Sequence, residues 1–155
     1  MPLNIDERLK AKGLVLPDAP EPLGAYIPSV LSGNLLFLSG MLPLKGGKLK
    51  RAGKAGSDVT LAEAKEDAAQ IVLNALAVVK QQLGDFNQIV RCVKLTGYVA
   101  CAPDFFEQPQ VINGASELLF ELMGEHGRHC RSAVGVSALP LNSPVEIDFI
   151  FEVCK

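Results

Sequence analysis

The sequence predicts an α+β fold, one mixed β-sheet with two helices packed on a single face. Three segments carry this expectation. In the last of them, Val145, Ile147, Phe149, Phe151 and Val153 alternate with Glu146, Asp148, Ile150 and Glu152, the period-two pattern of a strand with one apolar face. From Leu61 to Leu83, Ala64, Ala68, Ile71, Val72, Ala75, Val79 and Leu83 recur at helical spacing. From Pro109 to Met123, Val111, Ala115, Leu118, Leu119 and Leu122 do the same.

The remaining elements follow in order. Ile5 to Lys12, stopped by Gly13, reads as a short helix, and the Pro-rich stretch Leu16 to Pro22 separates it from the rest. The expected division is therefore an N-terminal extension, 1–22, and a single domain, 23–155. Ala25 to Leu31 and Leu35 to Leu38 read as two strands joined through Ser32-Gly33-Asn34, with Ser39-Gly40 closing the hairpin. Thr60 and Glu63 form a capping box for the long helix, Gly84 ends it, and Glu63, Lys65, Glu66, Asp67 and Gln70 are assigned mostly to its other faces. Ile89 to Ala100 is a β-rich run, and Gly124 ends the second helix. Ser132 to Leu139 and Val145 to Val153 then make a final β-hairpin across Pro140-Leu141-Asn142-Ser143. The order is β-β-α-β-α-β-β, and the sheet face without helices is expected to be covered by further copies of the chain.

Composition narrows the function. At 155 residues, 48% hydrophobic and 21% charged, the chain is long enough for one packed core. A net charge of −2 gives no overall attraction for a phosphate backbone, so nucleic acid is not an expected partner. The basic run Lys45, Lys48, Lys50, Arg51 and Lys54 is Gly-rich, lacks aromatic residues for base stacking, and reads as a solvated loop. The N-terminus shows no secretory pattern and no apolar run is long enough to span a membrane, which points to the cytoplasm. Cys92, Cys101, Cys130 and Cys154 show no C-x-x-C spacing and are expected to be reduced.

Nucleotide-binding glycine motifs, a nucleophile elbow and an H-E-x-x-H zinc motif are all missing from the sequence. His126 and His129 lie close to Cys130, but successive residues at the start of a strand face opposite ways, so a metal site there is disfavoured against an ordinary polar loop. The more informative run is Arg131-Ser132-Ala133-Val134-Gly135-Val136-Ser137-Ala138-Leu139-Pro140, followed by Val145-Glu146-Ile147-Asp148. It resembles the C-terminal signature of the Rid/YjgF enamine/imine deaminases. Gly24-Ala25-Tyr26, Gly33-Asn34, Ser39-Gly40 and Val111-Ile112-Asn113 resemble further motifs of that family in the same order, so the resemblance covers the chain from about Leu23.

The resemblance implies a chorismate-mutase-like fold assembled as a homotrimer, with pockets in the clefts between subunits and no metal or organic cofactor. It implies that Arg131 holds the substrate carboxylate, a task suited to a permanently charged planar fork of donors. Glu146 is implied to position or activate water, first as base and then as acid. Tyr26, Ser39, Gly40, Asn113 and Ala133 are implied to line the substrate site. Five of these residues also have a plain alternative: Arg131 a surface or interface ion pair with an acidic residue of the last strand such as Glu152, Glu146 an exposed strand carboxylate, Tyr26 a strand aromatic, Gly40 a turn residue with positive φ, Asn113 a helix surface residue or cap. Met41 stands where many relatives have glutamine, Ala133 where many have cysteine, and His129-Cys130 where Pro-Ala is usual. The implied function is hydrolysis of 2-aminoacrylate-like enamine and imine acids to keto acids and ammonia. Two other functions remain open: a trimer that only binds small carboxylic or keto acids, and an endoribonuclease.

Overall fold

The computed structural model describes residues 3–154; Met1, Pro2 and Lys155 lie outside the described residues. Helix α1 (Ile5–Ala11) is followed by strands β1 (Ser29–Ser32), β2 (Leu35–Leu38), β3 (Leu44–Lys45) and β4 (Lys48–Leu49), helix α2 (Leu61–Leu83), strand β5 (Ile89–Ala100), helix α3 (Gln108–Met123), and strands β6 (Cys130–Val136) and β7 (Val145–Val153). The main sheet has five strands in the order β1-β2-β7-β5-β6, and β3 and β4 pair separately. Only β5 and β6 run parallel, so the sheet is mixed.

Helices α2 and α3 cover one face of this sheet, where Leu36, Leu95, Ile147, Phe149 and Phe151 are fully buried. The expected capping box is present: Thr60 Oγ1 accepts from the Glu63 amide while Glu63 accepts from Thr60 N–H. Gly114 lets α3 approach α2, because a Cβ there would sit 2.0 Å from the Lys65 carbonyl oxygen. Helix α1 is a third packed helix rather than a detached element, since Ile5 and Leu9 belong to the same core. On the opposite sheet face no helix lies among the described residues, and Val30, Phe37 and Val134 remain exposed there.

Three expectations change. The first strand begins at Ser29 rather than Ala25, because residues before Pro28 turn on themselves, with Tyr26 N–H bonded to the Gly24 carbonyl. Strands β6 and β7 do not form a hairpin. A helix-linked pair such as β5-α3-β6 is parallel, which puts β6 at the sheet edge and leaves β7 on the far side of β5. The short turn Pro140–Asn142, with Leu141 and Asn142 both at φ 58°, carries the chain across the end of β5, where Ala100 N–H bonds the Pro144 carbonyl. For the same reason β6 stops at Val136, where its pairing with β5 ends, and not at Leu139.

The basic run is also more than a solvated loop. It contains the β3-β4 pair, and the Arg51 side chain is largely covered, contacting the Glu63 carbonyl, Glu66 and Asp67. Asp67, assigned to an outer face by its charge, is 4% exposed, and its Oδ2 has no hydrogen-bond partner among the described residues. Burial outweighs the nearby Arg51 charge and pushes its carboxyl up to about 6. The folded state thus binds this proton more tightly than the unfolded chain does, so the stabilisation is complete at low pH and is lost as pH rises through about 6. Relative to Asp67→Asn, the wild type should lose on the order of 2–3 kcal/mol of unfolding free energy between pH 4 and 7. Urea titrations of both proteins at these two pH values check this, and parallel pH dependences would contradict it.

Candidate functional site

The first cluster of candidate residues surrounds a cavity of about 510 Å³ whose lining includes Tyr26, Ser39, Gly40 and Glu146. Glu146 lies on the helix-free face of β7, half-buried and paired across β5 with Tyr98. Its carboxylate rests directly against Gly40: a Cβ on that residue would fall 2.3 Å from Glu146 Oε1. Gly40 is thus required for close approach and not for a positive φ, which it does not have. Burial, and then the charge of Asp148, raise the Glu146 carboxyl above the usual range. Asp148 in turn accepts the Tyr98 hydroxyl at 3.3 Å.

The neighbouring groups are held by their own bonds. Ser39 Oγ donates to the Ile27 carbonyl at 2.7 Å and its N–H to the Pro28 carbonyl, which pins the lead-in to β1. Tyr26 is about half exposed, and its hydroxyl accepts the Leu23 N–H at 3.1 Å. Leu23, Met41, Leu42 and Leu44 supply apolar lining to the same cavity. Asn74, buried in α2, donates to the carbonyls of Leu42 and Leu44 at 3.1 and 2.8 Å and so fixes that wall.

The second cluster surrounds Arg131 and Asn113, which line a cavity of about 380 Å³ with Ser116, Phe120 and His129. Arg131 makes no ion pair with Glu152, whose carboxylate instead accepts from Asn34. Its guanidinium donates to Ser116 Oγ at 3.0 Å and to the Pro109 carbonyl at 3.3 Å. His129 completes a directional chain. A carbonyl only accepts, so the 2.7 Å contact to Gly127 fixes the proton on Nδ1 and leaves Nε2 to accept from the Ser116 hydroxyl at 2.9 Å. Burial, together with the charge of Arg131, lowers the His129 pKa, against the opposing hydrogen bond to Gly127. Cys130 points elsewhere, bonding the Val93 carbonyl, and among the described residues no cluster suited to a metal ion is found.

Arg131 and Glu146 do not meet within one chain. Arg131 is in register with fully buried Leu95, on the helix side of the sheet. Glu146 pairs with Tyr98, three positions further along β5 and therefore on the other face. Ala133 shares the face of Arg131, is half-buried against the core, and lies outside the lining of both cavities. Three residues that shape these clusters were not assigned to the site from sequence. Asn74 carried a signal, a polar residue within Ile71 to Val79, an otherwise apolar run. Ser116 carries none, and the sequence offers His129 as an ordinary loop residue or, less favourably, a metal ligand.

The chain matches, over residues 6–153, the family model described as "YjgF/chorismate_mutase-like, putative endoribonuclease". A solved structure of the protein Atu1372 from Agrobacterium tumefaciens superposes with a TM-score of 0.91 at 48% sequence identity, covering 97% of this chain and 92% of that one. Protein TCP17 of Trypanosoma cruzi is 38% identical over 151 residues, 97% of this chain and 94% of its own. A relative from Dermatophagoides farinae, named 2-iminobutanoate/2-iminopropanoate deaminase, is 28% identical over 134 residues, 86% of this chain and 90% of its own. With its mixed sheet, its helix-covered face and these matches across nearly its whole length, the chain belongs to the YjgF family.

Proposed function

We propose that the protein hydrolyses 2-enamine and 2-imine carboxylic acids to 2-keto acids and ammonia, at sites completed by two copies of the chain in a homotrimer. The observation that carries this reading is the Glu146 carboxyl, half-buried beside an apolar cavity, seated on Gly40 and raised in pKa towards neutrality. Such a group accepts a proton from water and returns it to departing ammonia. Arg131, on the other face, is held by Ser116 and Pro109 with donors free to grip a carboxylate. A neighbouring copy brings the two faces together, and the exposed Val30, Phe37 and Val134 give the sheet an apolar surface to bury in doing so.

Chemically, the enamine tautomerises to CH3–C(=NH)–COO⁻, water adds to the imine carbon, and ammonia leaves as the C=O bond forms. Asn113 and Tyr26 orient the substrate, and the backbone at Ser39, Gly40 and Ala133 shapes its surroundings. The deaminase name of the Dermatophagoides farinae relative supports the same chemistry. The acidic groups Glu146 and Asp148 on the helix-free face oppose a phosphate backbone, so the RNA-cleaving reading gains nothing from this geometry. In a mixture of the protein with a pyridoxal-phosphate dehydratase and serine, ammonia release should be faster than without the protein. Equal rates with and without it would defeat the proposal.

Ser116 and His129 act through Arg131. Ser116→Ala removes one hydrogen bond to the guanidinium and should weaken keto-acid binding about fivefold, the effect of one ordinary hydrogen bond. Calorimetry with 2-oxobutanoate checks this, and unchanged affinity would show that Ser116 does not position the arginine.

A further inference from the structure

We infer that the cavity beside Glu146 is a side-chain pocket that favours 2-imino acids carrying long or branched apolar groups over the three-carbon acid, an inference that rests on the deaminase reading above. Arg131 of one copy and Glu146 of another fix two points of the substrate, its carboxylate and its imine carbon. The side chain must then leave along the remaining lining. The apolar part of that lining includes Pro22, Leu23, Met41, Leu42 and Leu44, and Glu21 is its one acidic residue besides Glu146.

Size and rigidity both favour selection. A cavity of about 510 Å³ lies within the range of pockets for ligands much larger than a three-carbon acid, whose methyl group leaves most of the apolar wall untouched. Met41 and Leu42 are 5% and 7% exposed, and Met41 pairs in both directions with the backbone of Ile147. Asn74 clamps the carbonyls of Leu42 and Leu44, so this part of the wall cannot readily collapse onto a small substrate. Leu23 is tied to the Tyr26 hydroxyl from the opposite end of the chain segment. Glu21 shares the lining with Glu146, so an acidic side chain meets like charge.

The reaction is unchanged: R–C(=NH)–COO⁻ and water give R–CO–COO⁻ and ammonia, a C=N bond lost and a C=O bond formed without oxidation or reduction. The test generates imines in situ from L-leucine, L-alanine and L-glutamate with amino-acid oxidases and compares kcat/KM for the full-length protein. At roughly fourfold per buried methylene-sized group, the three extra carbons of the leucine-derived imine give an expected preference of about 50-fold over the alanine-derived one. The glutamate-derived imine should be the poorest of the three. In Leu44→Asn the leucine-to-alanine ratio should fall towards one. A wild-type ratio below about 5, or a preference for the alanine-derived imine, overturns the inference while leaving the deaminase reading standing. Turnover of none of the three overturns the deaminase reading, and the inference falls with it.

Discussion

Glu146→Gln should lower kcat for imine hydrolysis by about 10²- to 10⁴-fold, the usual contribution of a positioned general acid–base, while KM changes little. Glutamine keeps the size and hydrogen bonding of the side chain but cannot carry the proton. Gly40→Ala should reproduce much of that loss by a different route. Its Cβ would fall 2.3 Å from Glu146 Oε1, so the carboxylate must swing away. The displaced group is the free end of a side chain, which can move without unfolding the strand, and the melting temperature should therefore change by only a few degrees. Both kcat and the pH–rate profile check this pair of variants. Full activity in Gly40→Ala would show that the seat of Glu146 on the glycine has no catalytic meaning. The raised Glu146 pKa fixes the direction of the acid limb: activity falls as pH drops through that pKa, because the protonated carboxyl no longer accepts a proton from water.

Arg131→Lys should lower kcat/KM by roughly 10- to 100-fold, and Arg131→Ala by more, because a charged group's hydrogen bonds contribute about 1.5–3 kcal/mol and lysine restores charge without the fork. The loss in Arg131→Ala should appear mainly in KM, since the carboxylate is gripped alike in ground and transition states. Removal of Arg131 also frees Ser116 from one partner, yet the core residues beneath are untouched, so folding should survive. Keto-acid affinity equal to wild type in Arg131→Ala would remove the anchor from the account.

The parts of the fold that were legible in the sequence are those written in local periodicity. Helix α2 runs over Leu61–Leu83 and β7 over Val145–Val153, the bounds expected from the capping box, the glycine stop and the strict alternation. What local pattern does not encode is partner choice. Only five residues separate the two final strands that the sequence predicts, a spacing suited to a hairpin, but the helical crossover through α3 makes β6 the parallel neighbour of β5. Long-range compensation is equally hidden: by charge alone Asp67 reads as a surface residue, whereas in the fold Arg51, distant in sequence, comes down on it. In the site, the family resemblance named Arg131, Glu146, Gly40, Ser39, Tyr26 and Asn113, and the structure sorts them into two cavities. That division depends on which face each strand residue takes after β5 inserts between β6 and β7, and no motif states it.

The same division supplies the most direct test of the account's central claim, that one substrate is held by Arg131 of one copy and processed by Glu146 of the next. Arg131→Ala and Glu146→Gln chains, each strongly impaired alone at substrate concentrations well below KM, can be co-expressed or refolded together and assayed for imine hydrolysis at such a concentration. In a ring of randomly mixed subunits, about a quarter of the sites join an intact Arg131 to an intact Glu146, so activity should return to about a quarter of wild type. Activity no greater than the sum of the two separate variants would contradict the claim.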